Sequence, residues 1–439
     1  MLSNRPDESN GFDIVIGNPP YIQLQENEGY LADLYYPYGF SSFDRRGDIY
    51  ELFYEKGNKM LCVNGTLCFI TSNGWMKSGY GDNLRAYLAS NSNPVLLIDF
   101  NQMLLFENAI VETNILLIRK QQNEYHCKAC SFLNFERNVV LGNLSQLVEH
   151  ESSICKFTSV GSWAVLEHSE QYVKSKIEEV GVIIKDWNLT IYRGITTGCN
   201  EGFIIDEDTR QSIYEEASDK EKAILDKTIY PILQGRNLKK YSYTFTGKHM
   251  IVTPRGYNIN LTPALKRHMM KHYDVLSNKS GSSKWYELQA SPSETMLQNM
   301  HKEKILWGEI SDSAKFTFDE GKFFAEATTF IMTTNDKSIS LKYLLAVLNS
   351  NLSVWYFHKI ATTTGMGTNR WKKYKLELLP VVKATLSQQK EIISLVDAIL
   401  SKKKANPLND TSKEEKKIDE LVYKLYELKP EEIKIVEEQ

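Results

Sequence analysis

At 439 residues the chain is long enough for two or three domains, and its 42% hydrophobic and 24% charged residues are the balance of a folded globular protein, not a disordered one. The formal net charge of −3 gives no global sign of nucleic-acid binding, no apolar run reaches the roughly eighteen residues of a membrane span, and MLSNRPDESNGFDIVIG lacks the features of a signal peptide. Six cysteines in so long a chain do not form a secreted disulfide framework, so the expected setting is a reducing cytoplasm.

Phe12–Gly17 (FDIVIG) reads as a buried strand that runs into the rigid turn Asn18-Pro19-Pro20. From Asp48 to Leu61, apolar Ile49, Leu52, Phe53 and Met60 recur at helical spacing, and Asn64-Gly65 turns the chain into a second strand, Leu67–Thr71. A short helix over Asp82–Leu88 and strands over Val95–Phe100 and Asn114–Ile118 follow. Apolar strands separated by helices predict a mostly parallel sheet with helices on its faces, half of an α/β domain, over residues 1–123. Residues 124–383 read as a mixed α+β domain with few clear helices. Short strands such as NLTIYRGI, KHMIVTP and TTFIMTT alternate there with polar loops, and the best helix is Leu341–Phe357. Residues 384–439 read as a helical hairpin: Leu386–Leu400, a break at Pro407, then a stripe of Ile418, Leu421, Val422, Leu425 and Leu428. Thr411 with Glu414, or Ser412 with Glu415, offers that second helix a capping box.

Asn18-Pro19-Pro20-Tyr21 carries the chemistry. Ligands of open α/β sheets bind beyond the carboxyl ends of strands. Two prolines offer no N–H, so the Asn18 amide oxygen and the Pro19 carbonyl can both accept from an exocyclic amino group, and Tyr21 gives a planar base a face to stack on. The competing explanation is a turn that uses Pro-Pro only to leave a strand.

The string FDIVIGNPPY resembles the fourth motif of amino-directed, S-adenosylmethionine-dependent methyltransferases, and the chain as a whole is similar to the C-terminal part of Type IIG restriction–modification enzymes and related adenine-specific DNA methyltransferases. GDIYELFYEKGNKML, NGTLCFITSNGWMKSGYGDNLRAYL and LLFENAIVETNILLI extend the likeness. The resemblance implies a partial Rossmann-like methyltransferase sheet in which a flipped adenine lies between Tyr21 and Phe106 and receives the methyl group directly on N6, with no metal or covalent intermediate. The family binds its donor through a glycine-rich loop on an earlier strand, and the seventeen residues before Asn18 contain none. A permuted loop at Gly194-Ile-Thr-Thr-Gly198 or Gly365-Met-Gly367 is the alternative. The expectation is therefore a chain inactive alone, completed by an N-terminal methyltransferase or nuclease segment or by a partner subunit.

YRGITTGCNEGFIID, QGRNLKKY, KWYEL, KILWGEIS and NRWKKYKLELLP resemble the target-recognition domain of the same enzymes, which implies double-stranded DNA as partner. Between Pro231 and Lys304, twelve Lys plus Arg stand against four Asp plus Glu, a local excess of eight. Arg236, Lys239 and Lys240 adjoin Tyr241; Lys284 adjoins Trp285 and Tyr286; Arg370, Lys372 and Lys373 surround Trp371. Basic residues interleaved with aromatics suit phosphate contact and stacking. Arg193, Arg236, Arg255 and Arg370 are the candidates for reading guanine edges. Each is also explicable as ordinary surface charge. His126-Cys127-Lys128-Ala129-Cys130 lacks the second pair of a zinc site and is read as free thiols, with no metal expected. Rival functions stay open at this point: a noncatalytic DNA-specificity module acting with a partner subunit, or methylation of RNA or of protein glutamine.

Overall fold

In the computed structural model, residues 10–438 are described except 107–110, 133–134, 160, 280, 282–283, 312 and 361–368, and the side chains of 369–370 are also left aside. Contacts divide the chain into two units: Met1–Glu179 with Tyr356–Thr362 and Lys429–Gln439, and Val180–Trp355 with Thr363–Leu428.

The first unit is built on six strands: β1 (Phe12–Gly17), β2 (Leu61–Ser72), β3 (Asn93–Leu104), β4 (Glu112–Arg119), β5 (Cys127–Ser131) and β6 (Ser153–Cys155), in the order β1-β2-β4-β3-β5-β6. β1 runs parallel to β2, and β3 to β5. β4 returns directly after β3 and inserts between β2 and β3, antiparallel to both, and β6 is antiparallel to β5. The sheet is therefore mixed, where a mostly parallel one was predicted. Short apolar strands read alike in either direction, and only the short β3–β4 connection reveals the reversal. Between β1 and β2 lies the helix Ile49–Met60, whose first turn is closed by the Asp48 N–H donating to Glu51 Oε1 at 3.1 Å. That helix and Asp82–Asn91 cover the sheet with Tyr50, Tyr54, Leu84 and Leu88, joined by Trp75 and Trp163.

β1 departs from its reading as a buried strand. It is the edge of the sheet, with Ile14 68% and Ile16 77% exposed. Alternation cannot show whether a strand has neighbours on one side or two.

The second unit holds two four-stranded sheets. One is antiparallel throughout, in the order Thr317–Asp319, Lys304–Gly308, Thr329–Thr333, Thr190–Arg193. The other runs Phe324–Ala325, Ile229–Leu233, His249–Ile251, Ile204–Ile205, with its first pair parallel. Their shared core includes Phe203, Ile232, Met250, Leu306 and Ile331. Helices are more numerous than predicted: Glu207–Glu216, Asp219–Leu225, Pro263–Met270 and Glu294–Met300 all lie in this unit. Their runs are short and polar on the outer face, which hides the period. The single helix expected over Leu341–Phe357 is two, Leu341–Asn349 and Asn351–Ile360, parted at Ser350.

The terminal hairpin forms as Leu386–Ala405 and Ser412–Leu425, and its first helix packs on Leu341–Asn349. Tyr426 Oη donates to the Pro380 carbonyl at 2.7 Å and so ties the hairpin to its own unit. The expected Thr411 or Ser412 box is replaced by two local bonds: the Thr411 hydroxyl donates to Glu415 Oε1 at 2.6 Å, and the Ser412 N–H to Asp410 Oδ1 at 2.9 Å. A further helix, Pro430–Glu437, belongs to the first unit, where Lys176 Nζ meets Glu432 Oε2 at 2.9 Å.

Candidate functional site

Asn18 to Tyr21 leave the carboxyl end of β1 beside the corresponding end of β2, since Gly17 pairs with Phe69. Pro19 is buried while Asn18 and Pro20 are exposed, so the turn is anchored by one ring and open at its polar end. Tyr21 Oη donates to Asn18 Oδ1 at 2.7 Å and lies 3.3 Å from the Ile70 carbonyl oxygen. A hydroxyl has one proton, and the shorter bond takes it. Burial pushes the Tyr21 hydroxyl above its ordinary pKa, which keeps that donor in place. The bond fixes the Asn18 amide, and the second lone pair of its oxygen remains for an incoming N–H. The Tyr50 ring meets the Tyr21 ring edge-on, at 6.1 Å and 89°. Phe106 is half-buried, two residues beyond the end of β3.

Three further polar groups surround Tyr50, and none was singled out from sequence. Burial raises Asp48, Glu51 and Tyr80 above their ordinary values. Their signal was hidden because Asp48 and Glu51 also read as the start of a helix.

No glycine of the first downstream alternative forms a donor cradle. A Cβ on Gly194 would lie 2.1 Å from the Glu326 carbonyl oxygen, and one on Gly198, where φ is +80°, would lie 2.6 Å from Gln289 Cβ. Both are small because neighbouring chain presses on them, and the helix that follows, Asn200–Phe203, has one turn. Gly365 and Gly367 fall outside the described residues.

In the second unit several predicted contact residues converge. Gly235 and Gly308 abut at a cleft of about 740 Å³ whose lining includes Gln234, Arg236, Glu309, Lys315 and Glu326. Arg193 donates through Nε to the Ala327 carbonyl at 2.8 Å and reaches Glu309 with Nη2 at 3.4 Å, while Lys372 Nζ lies 4.0 Å from the other Glu309 oxygen. Arg236 Nη2 donates to Gln234 Oε1 at 2.8 Å.

Other candidates are placed elsewhere. Trp371 is 2% exposed, its ring packed edge-on to Phe316, so it is core and not a stacking platform for a ligand. Lys240 is bound to Glu415 at 2.8 Å, and Lys373 lies 3.6 Å from Glu377. Lys239 and Arg255 are exposed, and Lys284 extends over the Tyr286 ring. Trp285 is half-buried between Tyr273 and Tyr286. The Arg370 side chain is outside the described residues, although its backbone pairs with Ile310. The basic excess of residues 231–304 is also reduced by acids from outside that stretch: Glu216 binds Arg267 at 2.9 Å, and Asp319 binds Lys304 at 2.6 Å. Cys127 and Cys130 are buried on β5, where burial drives the Cys130 thiol up to about 11. Glu309, Gln234 and Glu326 went unselected from sequence, because a search for basic residues passes over acceptors.

The first unit thus combines a mixed sheet with a strand-end Asn-Pro-Pro-Tyr turn, and the second unit is β-rich. Residues 3–106 match the Eco57I restriction-modification methylase family, and residues 230–381 match the TaqI-like C-terminal specificity domain. The chain is similar to the one family over its first segment and to the other over its second. It is 21% identical to the Type II methyltransferase M.BstVI of Geobacillus stearothermophilus, over 97% of this chain and 75% of that protein. It is 24% identical to the Type II restriction enzyme and methyltransferase RM.Eco57I of Escherichia coli, over 79% of this chain and 38% of that one. The structure of the Type IIL restriction-modification enzyme MmeI, solved in complex with DNA, aligns over 97% of this chain and 56% of its own, with 13% identity and a TM-score of 0.56. That likeness shows the fold. The chain thus spans little more than half of the MmeI structure and well under half of RM.Eco57I. Among the described residues no helix is long and apolar enough to cross a membrane.

Proposed function

We propose that this chain supplies the base-handling and sequence-reading parts of a restriction–modification DNA methyltransferase that modifies adenine on N6 with S-adenosylmethionine as donor. The observation that carries the reading is the Asn18 amide, exposed at a strand end with its oxygen pinned by the Tyr21 hydroxyl. Asn18 Oδ1 and the Pro19 carbonyl accept the two amino hydrogens of an extruded adenine, which turns its nitrogen lone pair outward. Tyr21 stacks on one face of the base and Phe106 on the other. Duplex DNA is held by the second unit, through Arg193, Arg236 and Lys372 around its cleft, with Lys239, Arg255 and Lys284 as outlying phosphate contacts. In this reading the first unit handles the base through the turn after β1, and the second unit reads the sequence, with the hairpin Leu386–Ala405 and Ser412–Leu425 packed within it.

The donor is held by a segment or subunit that docks on β1, and transfer by this chain alone is not expected. Supporting this, Ile14 and Ile16 stand exposed on an edge strand, and covering each would contribute about 1.5–3 kcal/mol. Labelled S-adenosylmethionine incubated with a mixed duplex pool tests the whole reading. N6-methyladenine is expected once the completing segment is added, with none from this chain alone and none after Asn18→Ala. Methylation of another base, of RNA or of protein, undiminished transfer by Asn18→Ala, or micromolar donor binding by the isolated chain each overturns part of it.

A further inference from the structure

The cleft in the second unit has an unusual distribution of charge for a surface facing a polyanion. Its lining carries the cations Arg236, exposed, and Lys315, half-buried, and Arg193 and Lys372 flank its Glu309 with 58% and 33% of their side chains exposed. Its inner groups are acceptors. Glu326 is 3% exposed and takes the Thr328 hydroxyl, and the Glu309 side chain is 21% exposed. A carboxylate near phosphates is repelled by them, so its presence needs a reason. Neutralising neighbouring cations is one, but the two cations of Glu309 stand at 3.4 and 4.0 Å, beyond the 2.7–2.9 Å of a good charge-assisted hydrogen bond. They hold the carboxylate in position and leave lone pairs open.

Cations outside and acceptors inside complement a strand whose phosphates sit at the rim and whose base edge presents hydrogen-bond donors. In the major groove only adenine and cytosine offer such donors, through their exocyclic amino groups. Resting on the reading of this unit as the DNA-recognition part, we propose that Glu309 is a specificity-determining residue that accepts a hydrogen bond from the exocyclic amino group of an adenine or cytosine at one position of the target. Gln234, already accepting from Arg236 at 2.8 Å, positions that guanidinium beside it.

The test is selection from a randomised duplex library by this chain and by Glu309→Gln and Glu309→Ala, with melting temperatures to show that each variant is folded. The wild-type chain is expected to enrich a motif in which one position is adenine or cytosine. Which of the two is recovered identifies the base. Glu309→Ala is expected to lose about tenfold of the discrimination at that position and to keep the rest of the motif, whereas Glu309→Gln, whose amide both accepts and donates, is expected to select adenine there. A motif unchanged in the variants, with only a uniform change in affinity, overturns the inference and leaves a charge-balancing role. Failure of the wild-type chain to enrich any duplex overturns the DNA reading of the unit as well.

Discussion

Replacing Lys304 by Met probes the foundation of that cleft. Lys304 opens the strand that ends at Gly308, directly before Glu309, and pairs across the sheet with Asp319. The two side chains are 0% and 1% exposed, with nitrogen and oxygen 2.6 Å apart, and Lys304 Nζ also donates to the Met300 carbonyl at 2.6 Å. Burial pulls the ammonium below its ordinary pKa, and Asp319 opposes that pull. Methionine keeps the length of the stem but removes the charge. Among the described residues, Asp319 would then be a buried carboxylate supported by the N–H groups of Gly321, Lys322 and Phe323, at 3.2, 3.3 and 3.1 Å. Removing one member of a buried pair costs about 3–5 kcal/mol, and those three donors place the expectation near about 3. Domains have only about 5–15 kcal/mol in total, so this is a large fraction. Urea unfolding of Lys304→Met, Asp319→Leu and the double variant gives the cycle. The double variant is expected to recover at least about 2 kcal/mol relative to the sum of the singles, because no charge is then left buried. A Lys304→Met cost below about 1 kcal/mol, or strict additivity, would refute the reasoning. At temperatures where the variant remains folded, any duplex preference should be unchanged, since no cleft group is altered.

Acid should weaken the second unit through His268, which burial, helped by His272 and Lys271, lowers to about 4 from its ordinary 6.5. Between those values the unfolded chain takes up a proton that the folded chain excludes, so stability falls as pH drops, by roughly 3 kcal/mol in all. Opposing charges from Asp206 and Glu216 are already included in that net direction. His268→Leu should flatten the dependence between pH 6.5 and 4, and parallel wild-type and variant curves in urea would contradict the assignment. Gly194→Ala should unfold or severely destabilise the second unit whether or not any donor is present, because the new methyl group meets the Glu326 backbone oxygen at 2.1 Å. Circular dichroism on the purified variant decides this, and a normal melting temperature would show that the contact can relax.

How much could be read in advance follows the range of the forces. Local signals sufficed for the candidate chemistry. FDIVIG has strand composition, Pro-Pro ends a strand without offering donors, and the result is a polar turn at Asn18 whatever lies beyond it. The helix beginning at Ile49 and the hairpin either side of Pro407 were likewise legible, since caps, breakers and apolar stripes act within a few residues. Strand order was not, because hydrogen bonding between strands is indifferent to sequence separation: β4 lies between β2 and β3, and β1 is left at an edge. Burial of Trp371 was equally illegible, for its flanking Arg370, Lys372 and Lys373 promised a surface that the packing of Phe316 denied it. Charge is the clearest case of tertiary control. The basic run of residues 231–304 was evident in the sequence, but Coulomb interactions act through space. Folding brought Glu216, Glu415 and Asp319 to several of those cations and set Glu309 between Arg193 and Lys372. Sequence therefore determined which candidate polar, aromatic and charged groups the protein has, and tertiary structure decided which of them stand exposed and which are occupied by one another.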